Sequence, residues 1–400
     1  MKPDIYDVII LGGGAAGLMC ALTAGQRKKR VLVIEVSNKL GKKILMSGGG
    51  RCNFTNLDVT ADNFICANPH FVKSALNQYT QWDFITLVGK HDVAYHEREH
   101  GQLFCDQSAK DILKILTTEC GEVGVEFMLN CEVNEVDVFA DQTGFRMQSN
   151  QGAFTCRKLV VATGGLSIPT LGGATGYGYE LARHFELDVS QTEASLVPFT
   201  LTGKLHELAH SISGVSVPVV ASVPGKSFKE SLLFTHRGLS GPVILQLSNY
   251  WYLGNEISID FLPNQSFDEM LVEQKSLGKK LTISSLLSQS LPKSLVQELA
   301  KIGWSNLAST PLQEIKNAEL LRVGKLINDW RLVPSGTEGY RTAEVTRGGV
   351  VVDQVSSKTM EVKSIPNLFL IGEVLDVTAH LGGYNFQWAW SSGYVAGCNV

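Results

Sequence analysis

The chain has 400 residues, of which 44% are hydrophobic and 18% charged, with a formal net charge of −4. That is enough apolar material for two or three domains, and the negative balance excludes a global basic field, so nucleic acid would have to meet a local patch. Thirty-nine glycines against twelve prolines exclude a low-complexity chain and suggest close backbone approach to a ligand.

The amino-terminal stretch YDVIILGGGAAGLMCALTAGQRKKRVLVIEV reads as strand, glycine turn, helix and strand. Val8–Leu11 is a continuous apolar run, as in a buried parallel strand. Gly12, Gly14 and Gly17 follow in G-x-G-x-x-G spacing, with Ala15 and Ala16 opening the helix. The first glycine permits the tight turn, the second admits a pyrophosphate to the backbone, and the third lets helix and strand pack. Phosphates then sit at the helix amino terminus. Glu35, followed by Val36, ends the second strand where an acid accepts ribose hydroxyls, which favours FAD or NAD over NADP. The uncharged run 8–25 approaches the length of a membrane span. Its glycines, its strand pattern and the preceding Asp4 and Asp7 argue against a membrane helix or signal peptide, so no membrane partner is expected. Arg27, Lys28, Lys29 and Arg30 read as a solvated helix end.

Lys42 and Lys43 are candidates for phosphate contact, with a solvated loop pair as the alternative. Ser47, Gly48, Gly49, Arg51, Cys52 and Asn53 form a glycine-rich loop that lets the backbone pass close to a cofactor. Eight cysteines without a C-x-x-C read as reduced thiols and hence a cytoplasmic protein. His96-Glu97-Arg98-Glu99-His100 matches H-E-x-x-H, which holds zinc only on a helix. Val93–Tyr95 has strand character and Gly101 follows at once, so the expectation is a β-hairpin and no metal.

Residues 131–156, with Val133 near their start, alternate as a small antiparallel meander. Val160 and Val161 then lead into Ala162, Thr163, Gly164 and Gly165, a turn found in flavoproteins with two dinucleotide-binding domains. After Ser195 come short β runs with Gly/Pro turns, suggesting a β-barrel or sandwich. Residues 266–330 change to helical spacing, with Pro292 at a helix start. Near the carboxyl end a strand at 368–371 precedes Gly372 and Glu373. An acid there commonly holds the flavin ribityl chain or its phosphate. Gly382 and Gly383 open a last helix that can face the isoalloxazine, and Asp376, Tyr384 and Asn385 flank it. Convergence of such separated elements on one ligand points to FAD. The expected fold is α/β, a Rossmann-like FAD-binding domain with an inserted β-barrel-like domain and a small helical insert. The expected boundaries are 1–195 with 343–400, 196–265 with 331–342, and 266–330.

ILMSGGGRCNFTN (44–56), GQLFCD (101–106), LLFTHRGLSGP (232–242), GTEGYRTAEVTRGGV (336–350) and GEVLDVTAHLGGYNFQWAWSSG (372–393) together resemble the BaiN/RdsA family, the YhiN-like flavoproteins. The resemblance spans essentially the whole chain. It implies an FAD-dependent reductase of carbon–carbon double bonds conjugated to a carbonyl. One branch acts on bile-acid intermediates; the other makes dihydrouridine in ribosomal RNA. PHFVKSALNQYTQWDF and LQLSNYWY look more like the RNA branch. The expected partner is therefore ribosomal RNA or its precursor, with a small conjugated ketone as the alternative and no DNA. A flavin-bound assembly protein without turnover is a reading of a different class. With a single dinucleotide fingerprint, NADH or NADPH would dock transiently as reductant.

Such a reduction adds hydride to the carbon β to the carbonyl and a proton to the α carbon, so it needs an acid within reach. Cys52 is one candidate, with a buried structural thiol as the alternative. His236 is the other, with a satisfied loop histidine as its alternative. Arg51 suits either the FAD pyrophosphate or a substrate anion. RNA phosphates would be gripped by Lys279, Lys280, Lys293 and Lys301.

Overall fold

The computed structural model describes residues 5–400. It divides into two compact units, one of residues 1–194 and 344–400 and one of residues 195–343. Asp4 lies outside the described residues.

The first unit is built on a sheet in which Val31–Ile34 and Gly152–Val161 flank Tyr6–Leu11 in parallel, with Glu126–Met128 beyond the former. The long strand Gly152–Val161 serves two purposes. Its first half pairs antiparallel with Phe145–Ser149, and that strand with Val133–Val138, which is the meander. Its second half pairs in parallel with Tyr6–Leu11 on one side and Leu368–Leu370 on the other. Val8, Ile9 and Ile10 are fully buried, as expected for a strand covered on both faces.

Register decides where a ligand can lie. Leu11 is paired with Ile34 and with Val161, and Val161 with Leu370. Four parallel strands therefore end at one level, and the segments that leave them begin at Gly12, Glu35, Ala162 and Ile371. Ligands of open α/β sheets bind outside these carboxyl ends. Helices Ala15–Gln26 and Tyr384–Asn399 pack on each other beneath this edge. Added Cβ atoms at Gly393 and Gly397 would meet the Ala16 and Cys20 carbonyls, so small residues set this close approach. Both helices are apolar nearly all round, as buried helices are.

His96–Arg98 lie on strand Tyr95–Arg98, which pairs antiparallel with Gln102–Cys105, and Glu99 and His100 lie in the turn between them. His100 has φ 61°, so the two histidines share no helix face. Among the described residues no cluster of His, Cys, Asp or Glu is arranged to hold a metal. No helix there is long and apolar enough to cross a membrane.

The second unit has an antiparallel sheet ordered Trp330–Leu332, Ile257–Asp260, Ser216–Val223, Lys226–Phe234, Gly238–Ser240, Phe199–Thr200, Gly336–Thr337. A helix, Gly203–Ser211, interrupts the strands and buries Leu208 and Ala209. Helices Phe267–Ser276, Ile283–Leu287, Lys293–Gly303 and Asn317–Asn328 occupy the segment with helical spacing. They do not form a separate domain. Leu271, Leu295, Leu299 and Ile327 belong to the same buried cluster as Val219, Phe234 and Ile259 of the sheet. The physical reason is that short amphipathic helices cannot bury their apolar stripes alone and use the sheet as their second layer.

Candidate cofactor and substrate site

Gly12 sits with φ 110°, and an added Cβ would collide with the Ala162 carbonyl; at Gly17 it would collide with the Gly12 carbonyl. These glycines hold strand, turn and helix together. Gly14 differs: nothing lies within 4 Å of its Cβ position. The same is true of Gly49 and Gly50. The backbone is thus bare towards open space at the helix amino terminus and at the second glycine loop.

Glu35 is half-buried and its carboxylate is already oriented. One oxygen accepts from the Gly13 N–H and the other from the Ser37 N–H, each at 2.8 Å. Val36 beside it is exposed. Each carboxylate oxygen keeps acceptor capacity for a diol.

Glu373 gathers the far end of the chain onto the turn at Thr163–Gly165. It accepts from Lys43 Nζ at 2.8 Å and from the Thr346 N–H at 2.8 Å. Lys43 Nζ also donates to Ser167 Oγ at 2.7 Å, and Ser167 Oγ donates to the Glu344 carbonyl at 3.0 Å. Lys42 Nζ is tied to the Leu171 carbonyl at 2.8 Å. Both lysines therefore brace the 164–173 segment. Thr163 Oγ1 is buried against Gly178 and has no hydrogen-bond partner among the described residues.

The second glycine loop is fastened to the last helix. The Asn53 amide, with its oxygen turned towards Gly383, accepts from the Gly383 N–H at 3.1 Å. Asn56 donates to the Gly382 carbonyl and to the His100 carbonyl, both at 2.9 Å. Ser47 Oγ donates back to the Ile44 carbonyl at 2.7 Å. Arg51 is exposed. Asn385 is occupied with the Ala379 backbone, accepting at 3.0 Å and donating at 3.2 Å. Tyr384 is buried edge-on to Phe64. Asp376 accepts from Ser190 Oγ at 3.1 Å, and burial raises its carboxyl above the usual range. Val133 is buried in the meander.

The two candidate acids fare differently. Cys52 is fully buried in the apolar cluster with φ 48°. Burial pushes its thiol far up, opposed only partly by a hydrogen bond with Ser47. A thiol so placed is a packing element; the glycines around it lie open, but the Cys52 side chain points into the core. His236 is exposed in the turn between Lys226–Phe234 and Gly238–Ser240. A group missed in the sequence is Glu344. It is exposed beside the 164–173 segment, its backbone carbonyl accepting from Ser167 Oγ at 3.0 Å. Asn56, Ser167 and Thr346 were also missed, because each acts through a partner far away in sequence. Of the lysines of the second unit, Lys279, Lys280 and Lys293 are exposed, and Lys301 pairs with Glu298 at 2.5 Å.

FAD fits these residues. The open backbone at Gly14, the preset Glu35 carboxylate and the Glu373 cluster all lie at the carboxyl ends of the parallel strands, as a long ligand requires.

Comparison with known proteins agrees. A family model described as HI0933-like protein Rossmann domain matches residues 6–399. A ribosomal RNA dihydrouridine synthase of Escherichia coli (strain K12) is 50% identical over 97% of this chain and 96% of its own length. One of the same description from Haemophilus influenzae is 47% identical over 98% of each. A 3-dehydro-bile acid delta(4,6)-reductase of Clostridium scindens is 28% identical over 97% of each chain.

Proposed function

The chain belongs to the HI0933-like protein Rossmann-domain family, and from that premise we propose that it is an FAD-dependent oxidoreductase making dihydrouridine in large-subunit ribosomal RNA. The observation that carries this reading is the 50% identity to a ribosomal RNA dihydrouridine synthase across nearly the full length of both chains. When bound, reduced FAD supplies hydride to the carbon β to a carbonyl, which in uracil is C6.

The chain's own residues bind, orient and protonate. The Gly12–Gly17 turn and the helix behind it receive phosphates, and Glu35 receives a ribose. Glu373, held by Lys43, Thr346 and Ser167, orients the 164–173 segment and the start of the final loop. Bare backbone at Gly49 and Gly50 leaves room for a planar ring to approach. The proton for C5 needs a group that holds it near neutral pH and gives it up on demand. Glu344, exposed beside the Ser167 segment, is the proposed donor by its position; Cys52, whose buried thiol is pushed far up, is not. NADH or NADPH is the proposed transient reductant.

The test is dihydrouridine content of large-subunit ribosomal RNA from cells with and without the gene. Loss of one dihydrouridine on deletion, restored by the wild-type chain, supports the reading. Unchanged content sinks it. A conjugated-ketone reductase is the second reading, favoured by the 28% identity to the bile-acid reductase. Turnover of a small enone with unchanged ribosomal RNA would establish it.

A further inference from the structure

A cavity of about 260 Å³ lies within the first unit, between the start of helix Phe71–Gln78 and the segment 352–363. The reaction outlined above makes no use of it. Its polar lining is Asn68, His70, Asp353, Ser356, Lys358 and Lys363, with Ser357 beside them. Two amines and an imidazole face one carboxylate. That carboxylate is engaged, since Asp353 Oδ1 accepts from Asn68 Nδ2 at 3.2 Å. Lys363 Nζ donates to the Asp353 carbonyl at 2.7 Å and retains two further protons. The His70 ring, the Ser356 and Ser357 hydroxyls and the Lys358 amine have no partner among the described residues. The positive end of a helix adds to this field. Such a lining suits a compact oxyanion, and phosphate above all.

The chain path ties the cavity to the reaction site. Strand Phe64–Ile65 pairs with Thr378–Ala379, two residues beyond Asp376, and then runs directly to Asn68 and His70. Cys66 on that run lies within electrostatic reach of both Asp353 and Asp376. The cavity is thus one short segment away from the final loop of the cofactor site. The whole chain carries a net charge of −4, so an RNA strand needs a local cationic seat such as this one.

We propose that this cavity seats a backbone phosphodiester of the RNA chain flanking the reduced base, through Lys358, Lys363, His70 and the two serine hydroxyls. This rests on the RNA reading given above.

The experiment measures binding of an unmodified ribosomal RNA stem-loop to the FAD-loaded full chain by fluorescence anisotropy across a salt series. The variants are Lys358→Ala/Lys363→Ala and the charge-preserving Lys358→Arg/Lys363→Arg. The alanine pair is expected to weaken binding roughly tenfold and to lower the salt slope by about 0.7, one single-stranded phosphate. The arginine pair should recover most of the affinity, and FAD content should be equal in all. Inorganic phosphate at tens of millimolar, an approximate screening range, should compete in the wild type beyond the effect of equal ionic strength. If wild type and alanine pair bind RNA equally, the cavity assignment is overturned while the RNA function stands. If phosphate competes but the variants leave RNA binding unchanged, the site takes free anion only and the proposal likewise fails. If the wild type binds no RNA, the function reading and the inference fall together.

Discussion

Lys43 and Glu373, 330 positions apart, meet at 2.8 Å and join the two ends of the sequence across the cofactor edge of the sheet. Lys43 is supplied by the segment after strand Val31–Ile34, Glu373 by the segment after strand Leu368–Leu370. The ion pair is partly exposed, so its Coulombic contribution to stability is small. Its value is geometric, because Glu373 simultaneously anchors the Thr346 amide and Lys43 anchors Ser167.

Glu373→Ala should therefore act on cofactor retention more than on folding. Removing an acceptor shared by charged and backbone donors costs about 1–3 kcal/mol, a roughly 5- to 150-fold weaker hold on FAD. The ratio of flavin to protein absorbance after dialysis reads this directly. A variant that keeps full flavin would show that Glu373 does not shape the site.

Gly12 and Gly14 should part company on substitution. At Gly12, φ 110° and the Ala162 carbonyl leave no room for a Cβ. Alanine there strains the turn by roughly 1–3 kcal/mol before any clash, and the thermal midpoint should fall. At Gly14 the Cβ position meets nothing within 4 Å. Gly14→Ala should fold with an unchanged midpoint in the cofactor-free state and lose FAD. Equal behaviour of the two variants in both assays would contradict this division.

Cys52→Ala tests whether the thiol is packing or chemistry. Loss of a buried sulfur should cost about 1 kcal/mol, seen as a lower thermal midpoint, with RNA turnover within about threefold of wild type. A loss of turnover on the scale of general acid catalysis, roughly 100-fold, at full flavin content would restore the thiol as proton donor.

Glu344 is tested by substitution. Glu344→Gln should lose roughly 100-fold or more in rate at full flavin content, the scale of general acid catalysis. Turnover within about threefold of wild type would remove Glu344 from the reaction.

The His96/His100 motif is expected to carry no metal. His96 Nδ1 lies 2.6 Å from Asp106 Oδ1, and Arg98 Nε donates to His96 Nε2 at 3.2 Å. Both ring nitrogens are in use on a strand. Metal analysis of the purified protein should find no stoichiometric zinc, and a chelator should leave RNA turnover unchanged.

Much of the candidate site's backbone geometry follows from local pattern. Gly12, Gly14, Gly17 and Glu35 lie on one strand–turn–helix–strand unit, where spacing alone specifies backbone geometry. The Ala162–Gly165 turn and the Gly372–Glu373 step were readable for the same reason, each following an apolar strand. The strand character of Val93–Tyr95 and the glycine after His100 likewise sufficed to place the histidine motif on a hairpin. The domain division was read too finely in the second unit, because helical spacing reports an apolar stripe but not which layer covers it. Leu295 and Phe234 share a core that no local pattern encodes.

The sequence by itself determined the dinucleotide fold, the family and the turns whose geometry is set by backbone conformation, since those depend on neighbours a few positions away. Only the tertiary structure decided side-chain environments. It buried Cys52 and left Glu344 exposed. It joined Lys43 to Glu373 and gathered Asn68, His70, Lys358 and Lys363 around one cavity. Burial and charge proximity are sums over atoms brought from distant parts of the chain. That is why proton affinities and contacts across 330 positions emerge only once the chain is folded.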